Sequence, residues 1–319
     1  MFYRTFVEFL PESTPVTVGF EVVKPSLLDR IRGFEKVFMH SGNWWHLSDS
    51  ARSPQNLYRS YLKLKSTCHV DAIMSINVPP KIFGGRYDIW NYPRKVRWSA
   101  LEESLRRSMK LMELVKGEVP VYCCYEIGTF NDAIEWYGRA REAGFQFYGA
   151  GFAAFIMGRP SLEAFKHIID VVVGAKHVLG FEAPFHASGI GSLKLLAILY
   201  YLGVTSADGS TPIRAALSYG FVYDEKGRSY RVRDLKKWSC RCEFCSQYSG
   251  SELIKMFKED YRSRVLHNSY LWDLVLSEMV EASREGKLEK FISNLIGDSR
   301  IMVKVYDYAR EMKRKYLES

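Results

Sequence analysis

Apolar positions along the chain fall into two alternating rhythms. Short runs rich in β-branched and aromatic residues predict strands: VTVGFEVV (16–23), KVFMHSG (36–42), VDAIMSINV (70–78), VPVYCCYEIG (119–128), FQFYGAGF (145–152), HVLGFEAPFH (177–186) and GVTSADGS (203–210). Between them PQNLYRSYLKLKS, ALEESLRRSMKLMELVK, FNDAIEWYGRAREAG, SLEAFKHIIDVVVG and SLKLLAILYYLG repeat their apolar residues at helical spacing. Ser161 reads as an N-cap, Asn131 lies near a helix start, and Gly144 and Gly203 read as C-terminal stops.

Strands that are apolar almost throughout, alternating with helices, describe a parallel sheet covered by helices. A doubly wound sheet and a (β/α)8 barrel both write such a string. The polar residues favour the barrel, because chemistry collects at the C-terminal ends of barrel strands. His40-Ser41-Gly42, Asn77, Glu126 with Gly128, Gly149 with Gly151, His186 and Asp208 all close an apolar run. The expectation is an α/β fold: a TIM (β/α)8 barrel over 1–235 with a zinc-binding helical C-terminal subdomain over 236–319. No Gly/Ser linker interrupts the chain, which argues for one continuous body.

Composition adds two limits. The hydrophobic fraction of 47%, with 14% aromatic, suffices for a large core. No stretch of about 18 apolar residues exists to span a membrane, and the opening MFYRTFVEFLPES has no signal-peptide run, so a cytoplasmic location is expected. Net charge is +9, with basic clusters at Arg94–Arg97, Arg106–Lys110, Arg228–Lys237 and Lys313–Lys315. Such an excess suits a polyanion such as nucleic acid, although each cluster alone also reads as a solvated helix face.

The six cysteines change the picture most. "SCRCEFCSQYSG" packs Cys240, Cys242 and Cys245 together, too close and too few for a disulfide framework. Zinc takes four N or S ligands in a tetrahedron, so three thiolates leave one position, which His267 in "RSRVLHNSYLW" suits. The apolar spacing of SELIKMFKEDYRSRVL predicts a helix that returns this imidazole. A closed set of four makes Zn2+ structural; buried thiols beside a helix-capping His are the alternative. Cys68, Cys123 and Cys124 read as core cysteines on apolar strands.

These motifs together resemble the tRNA-guanine transglycosylases, the archaeal branch above all. "PFHASGIGSLKLLAILYYLGVTSADGS" is similar to that family's His-x-x-Gly-x-Gly segment, helix and nucleophile Asp. "LKKWSCRCEFCSQYSGSEL" with "LHNSYLW" resembles its zinc motif, and "SEMVEASREGKLEKFI" the helix that follows. From 30 to 155 the likeness is looser. "VFMHSGNWW" stands where the family has an Asp-Ser-Gly-Gly loop, "VDAIMSINVPP" where a strand ends in Asp, and "FYGAGFAAF" where a Gly-rich turn binds the base.

The resemblance implies a glycosyltransferase that replaces guanine in nucleic acid, tRNA or DNA, with a free 7-deazaguanine-type base, of the queuosine or archaeosine kind. Asp208 would be the nucleophile. A carboxylate can trap the sugar C1′ covalently, as in retaining glycosidases, and "TSADGSTP" is small enough to admit a nucleotide. His40 replaces the family's proton-transferring Asp and Asn77 a base-reading Asp. Asn donates as well as accepts, and an imidazole titrates near neutrality, so the family's base preference does not carry over. His40 is either a general acid/base or a His bonded to its loop. Ser41, Gly42, Asn77, Glu126, Gly149, Gly151 and His186 are the substrate-binding candidates; Glu126 and His186 would touch ligand or brace loops, and Trp44 or Trp45 would stack or join the core. Family members that act on archaeal tRNA carry further C-terminal RNA-binding domains, whereas this sequence stops at Ser319. A homodimer or heteromer is a further expectation, as is the alternative of a non-catalytic, zinc-stabilised nucleic-acid-binding paralogue or partner subunit.

Overall fold

The computed structural model of the chain describes residues 16–19 as backbone, and 32–34, 36–40, 53–78, 89–152 and 161–318. Each of the seven expected strands is present, mostly shorter than its apolar run: β1 Val16–Gly19, β2 Val37–His40, β3 Ala72–Met74, β4 Val121–Tyr125, β5 Phe147–Gly151, β6 Phe185–Ser188 and β7 Ser206–Ala207. They form one sheet in the order β1-β2-β3-β4-β5-β6-β7, and the pairs from β1 to β6 are parallel.

That order argues against the doubly wound sheet. A doubly wound sheet reverses direction at a switch point, whereas here each strand lies beside its predecessor in sequence. With right-handed crossovers, stepping always the same way puts the connecting helices on one face, as in a TIM-type sheet. Those connections include α1 Pro54–Lys65, α2 Arg94–Val115, α3 Phe130–Glu142, α4 Leu162–Leu179 and α5 Leu193–Tyr201.

Local chemistry explains the helices. Thr129 caps α3 by accepting from the Asp132 amide at 3.2 Å, and Ala133, Trp136, Tyr137 and Ala140 bury one stripe. Ser161 caps α4 in the same way through Ala164. The expected strand 177–186 proves to be two things. Residues 177–179 are the last turn of α4, which Gly180 ends at φ +93°, and the strand begins only at Phe185. Gly174 does not stop α4. A Cβ there would lie 2.8 Å from the Phe130 carbonyl oxygen and 3.0 Å from the Ala133 Cβ, so this glycine serves the close approach of α3 and α4.

The chain packs as two compact units: Met1–Ser188 with Leu202–Ser206 and Tyr308–Ser319, and Gly189–Tyr201 with Ala207–Asp307. The second contains α5, then α6 Thr211–Tyr219, the antiparallel hairpin β8 Phe221–Tyr223 with β9 Ser229–Arg231, α7 Gly250–Glu259, α8 Tyr261–Arg284 and α9 Leu288–Ile296. α10 Arg300–Tyr316 begins in it. α8 is its spine, packed by α5, α6, α7, α9 and β8. No helix among the described residues is long and apolar enough to cross a membrane.

Candidate metal centre and candidate active site

α7 opens with a capping box, Ser249 with Glu252, and ends at Asp260, whose extended backbone also makes it the N-cap of α8. The single helix expected between the thiols and His267 is therefore two helices broken at Asp260, with His267 on the second. The imidazole is fully buried, as is the Cys242 side chain, with Cys245 nearly so and Cys240 half-buried.

The ligand atoms of Cys240, Cys242, Cys245 and His267 all lie within 4.8 Å of one another. His267 Nδ1 is 3.4 Å from Cys242 Sγ and 3.2 Å from Cys245 Sγ. In a tetrahedron with Zn–S of about 2.3 Å and Zn–N of about 2.0 Å, such an edge measures about 3.5 Å. His267 Nε2 donates to the Tyr223 carbonyl at 2.8 Å. That bond puts the proton on Nε2 and leaves the Nδ1 lone pair for the thiol cluster, the outer-shell arrangement of metal-bound histidines.

The next residue completes the frame. Buried Asn268 accepts from the Tyr223 amide at 3.2 Å and donates to the carbonyls of Pro212 at 2.8 Å and Phe221 at 3.3 Å. Sequence reading gave it no role; its signal was a polar residue on the apolar stripe of α8, beside the ligand. Trp238 and Phe257 pack on the imidazole at 5.3 and 5.1 Å between centroids and exclude water.

Three crowded thiols cannot all ionise without a neighbouring cation. Hydrogen bonds, from Cys240 first and then Cys245, push the Cys242 thiol down to about 4, while hydrogen bonds with Cys240 first and then Cys242 push the Cys245 thiol up. The donor set therefore fits a thiophilic metal ion, whose charge would let every thiolate form at once. Of the other cysteines, Cys123 and Cys124 are buried on β4, and burial pushes the Cys123 thiol well up. Cys68 departs from expectation: it lies past α1, off any strand and half-buried.

The strand-end residues are placed as follows. His40 ends β2, half-buried and opposite Gly19. Ser41, Gly42, Trp44 and Trp45 lie outside the described residues. Asn77 follows β3 in a segment held from α2, where the fully buried Ser108 and Ser104 hydroxyls accept from the amides of Ile76 at 3.0 Å and Val78 at 2.8 Å. Those two serines were not expected, and their signal was a polar pair one turn apart on an apolar helix face.

Glu126 follows β4 and is buried against Gly151, where a Cβ would lie 2.9 Å from its Cγ. Gly149 pairs with His186 in the sheet, and a Cβ there would stand 2.6 Å from the His186 carbonyl oxygen. His186 sits within β6, not at its end. Its Nδ1 lies 2.9 Å from Ser206 Oγ and its ring meets Tyr122 edge-on at 6.1 Å.

In the second unit, half-buried Asp208 follows β7 and its Oδ1 accepts from the Gly189 amide at 2.7 Å. Glycines allow this fit. A Cβ on Gly209 would lie 2.4 Å from the Ile190 carbonyl oxygen, and one on Gly191 2.4 Å from Thr211. The Gly-x-Gly spacing thus seats the segment 189–191 against the one that carries Asp208.

The family model described as Queuine tRNA-ribosyltransferase matches residues 90–300. Among similar proteins, the tRNA-guanine(15) transglycosylase of Sulfolobus acidocaldarius is 26% identical over 190 residues, 59% of this chain and 37% of that protein. That of Aeropyrum pernix is 25% identical over 230 residues, 69% and 44% of the two chains. That of Methanocaldococcus jannaschii is 22% identical over 313 residues, 93% and 44%. The chain spans less than half the length of these relatives. With a family match over residues 90–300, well over half its length, the chain belongs to the Queuine tRNA-ribosyltransferase family.

Proposed function

We propose that the protein is a base-exchange transglycosylase that replaces guanine in nucleic acid with a 7-deazaguanine-type base through a covalent Asp208–glycosyl intermediate. The observation that carries the reading is the seating of Asp208: past a strand end, on a Gly-rich bed, its carboxylate held by the Gly189 amide at 2.7 Å. Family membership and the transglycosylase names of its relatives support the reaction class. Completion of the sheet to an eight-stranded barrel, and the division into a barrel over 1–235 and a zinc-holding subdomain over 236–319, belong to the same proposal.

The Asp208 oxygen attacks C1′ through an oxocarbenium-like transition state, and the C1′–N bond breaks with its electron pair leaving on the base. The departing guanine takes a proton from a general acid, the role given to His40. The incoming base then gives up its proton to His40, which the first step left deprotonated, attacks C1′ and releases the carboxylate. Asn77, Glu126, Gly149, Gly151 and His186, with Ser41 and Gly42, are the proposed base-binding positions. Cys240, Cys242, Cys245 and His267 would hold a structural zinc that ties the knuckle to α8 and takes no part in the chemistry. The nucleic acid is tRNA or DNA, the location cytoplasmic, and the assembly a homodimer or heteromer.

The test is to incubate the protein with tRNA or DNA and trap under denaturing conditions. A covalent adduct that disappears in Asp208→Asn, with binding retained, is expected; an adduct that survives that substitution places the nucleophile elsewhere. Labelled guanine and 7-deazaguanine, offered with each nucleic acid, separate the tRNA and DNA readings by which one incorporates the label. His40 and Asn77, standing where the resemblance implies two carboxylates, favour a second reading, the non-catalytic nucleic-acid-binding paralogue. Tight binding without exchange under any pairing supports that reading.

A further inference from the structure

Beyond Met74, where β3 ends, side-chain hydroxyls take over from the sheet ladder. The Cys124 amide donates to Ser75 Oγ at 2.9 Å, and Ser75 Oγ donates to the Cys124 carbonyl at 3.2 Å. The next amides turn to α2, Ile76 to Ser108 and Val78 to Ser104, and Ser104 Oγ passes its own proton to the Ala100 carbonyl at 2.8 Å. Tyr125 on β4 closes the set. Its hydroxyl donates to the Ser104 carbonyl at 3.4 Å and also meets the hydroxyls of Ser75 and Ser108. All four side chains are buried, Ser75 to within 1% and the others completely.

Hydroxyls suit this place because each accepts from an amide and donates elsewhere at once. An apolar residue at position 104 or 108 would fill the core equally well but leave a buried amide unpaired. What the network holds is more telling. Asn77 lies between the two amides anchored on α2, and Glu126 directly follows Tyr125. Tyr125 reaches toward α2, so the alternation of an extended chain turns Glu126 to the opposite face, where it lies against Gly151. Two of the proposed base-binding positions, on neighbouring strands, thus each adjoin a residue fixed by the same four hydroxyls.

We propose that Ser75, Ser104, Ser108 and Tyr125 form a positioning layer behind the base pocket, which fixes the spacing of Asn77 and Glu126 and so the fit of the exchanged base. The inference rests on the base-exchange reading above and deepens it. None of the four touches the base; they act through the two residues that do.

The experiment uses the full metal-loaded chain. Binding of free guanine and of free 7-deazaguanine is measured by calorimetry, and exchange of whichever binds more tightly is then followed into tRNA and into DNA. Tyr125→Phe and Ser108→Ala each delete one oxygen from the network, so if one fails to fold the other is scored. Each should weaken binding of that base and raise its KM by about 10-fold or more, with kcat changed by less than about 3-fold. Asn77→Ala should also weaken the base, and adding Ser108→Ala to it should cost little more, because the group that the serine places is gone. Val115→Ala, a buried truncation on α2 outside the network, should lower the melting temperature and leave KM unchanged. Unchanged affinity in the network variants, additive losses in the double variant, an equal KM shift in Val115→Ala, or a wild-type chain that binds neither base overturns the proposal. Exchange without the affinity shift refutes the layer and leaves the enzyme reading standing. The predicted shift in a chain that binds base but exchanges none does the reverse.

Discussion

His267 donates from Nε2 to the Tyr223 carbonyl at 2.8 Å and so turns its Nδ1 toward the sulfurs of Cys242 and Cys245. One hydrogen bond thereby sets tautomer and aim together. If the cluster holds zinc, the purified reduced protein should contain near-stoichiometric metal, and chelation should lower its melting temperature, since metal-binding free energy is folding free energy here. Cys242→Ala should do likewise. Metal analysis that finds none, or a melting curve indifferent to chelator, would count decisively against the site.

Gly149 faces the β6 main chain, where a Cβ would stand 2.6 Å from the His186 carbonyl oxygen. A backbone atom in a parallel sheet cannot rotate aside as a side-chain tip can. Gly149→Ala should therefore destabilise the chain by about 1–3 kcal/mol. The check is urea unfolding: the midpoint should fall while the slope stays unchanged.

Lys176 is almost fully buried on α4, where its ammonium donates to the carbonyls of Phe181 and Ala183 in the turn that leads into β6. Replacing it with Met leaves both acceptors without their donor and should cost about 2–4 kcal/mol. Burial pulls the amine down from 10.5 to about 8. Below about 8 both states are protonated. Between about 8 and 10.5 the unfolded chain binds the proton and the folded chain does not, so the native state gains stability as pH rises through that window. The stability advantage over Lys176→Met should widen over the same range, measured by denaturant titration at each pH. A flat difference would show that the amine keeps its ordinary affinity for the proton.

Arg97 and Asp132 pair at 2.7 Å with side-chain exposures of 12% and 3%, and Trp98 Nε1 donates to the other Asp132 oxygen at 2.9 Å. Asp132→Ala strands a mostly buried guanidinium and should cost about 3–5 kcal/mol. Adding Arg97→Met should recover part of that loss. A double-mutant cycle of unfolding free energies measures the coupling; additive losses would show that the pair contributes no coupling.

Much of the fold was legible because its signals are local. Helical periodicity with Ser161, Gly144 and Gly203 as boundaries, seven apolar runs, and three thiols within one short segment each depend on a few adjacent residues. The departures occur where a distant partner decides. The helical run SLEAFKHIIDVVVG ends at Gly174 in the sequence reading, whereas α4 continues past that glycine, and a strand reaching back to 177 looks reasonable until the apolar stripe of α4 claims those residues.

By itself, the sequence determined the alternation that makes a parallel α/β sheet, the grouping of Cys240, Cys242, Cys245 and His267 as a donor set that could hold a metal ion, and the Gly-x-Gly and Asp208 spacing that carries the resemblance. Only tertiary structure decided that the strands run in simple order, that His186 lies within its strand against Ser206 and Tyr122, that Ser104 and Ser108 hold the Asn77 segment, and that Asn268 clamps the hairpin. The physical reason is common to all four. Periodicity and capping are set by neighbours within a turn or two, whereas sheet order and the partner of a buried polar group depend on segments tens of residues away.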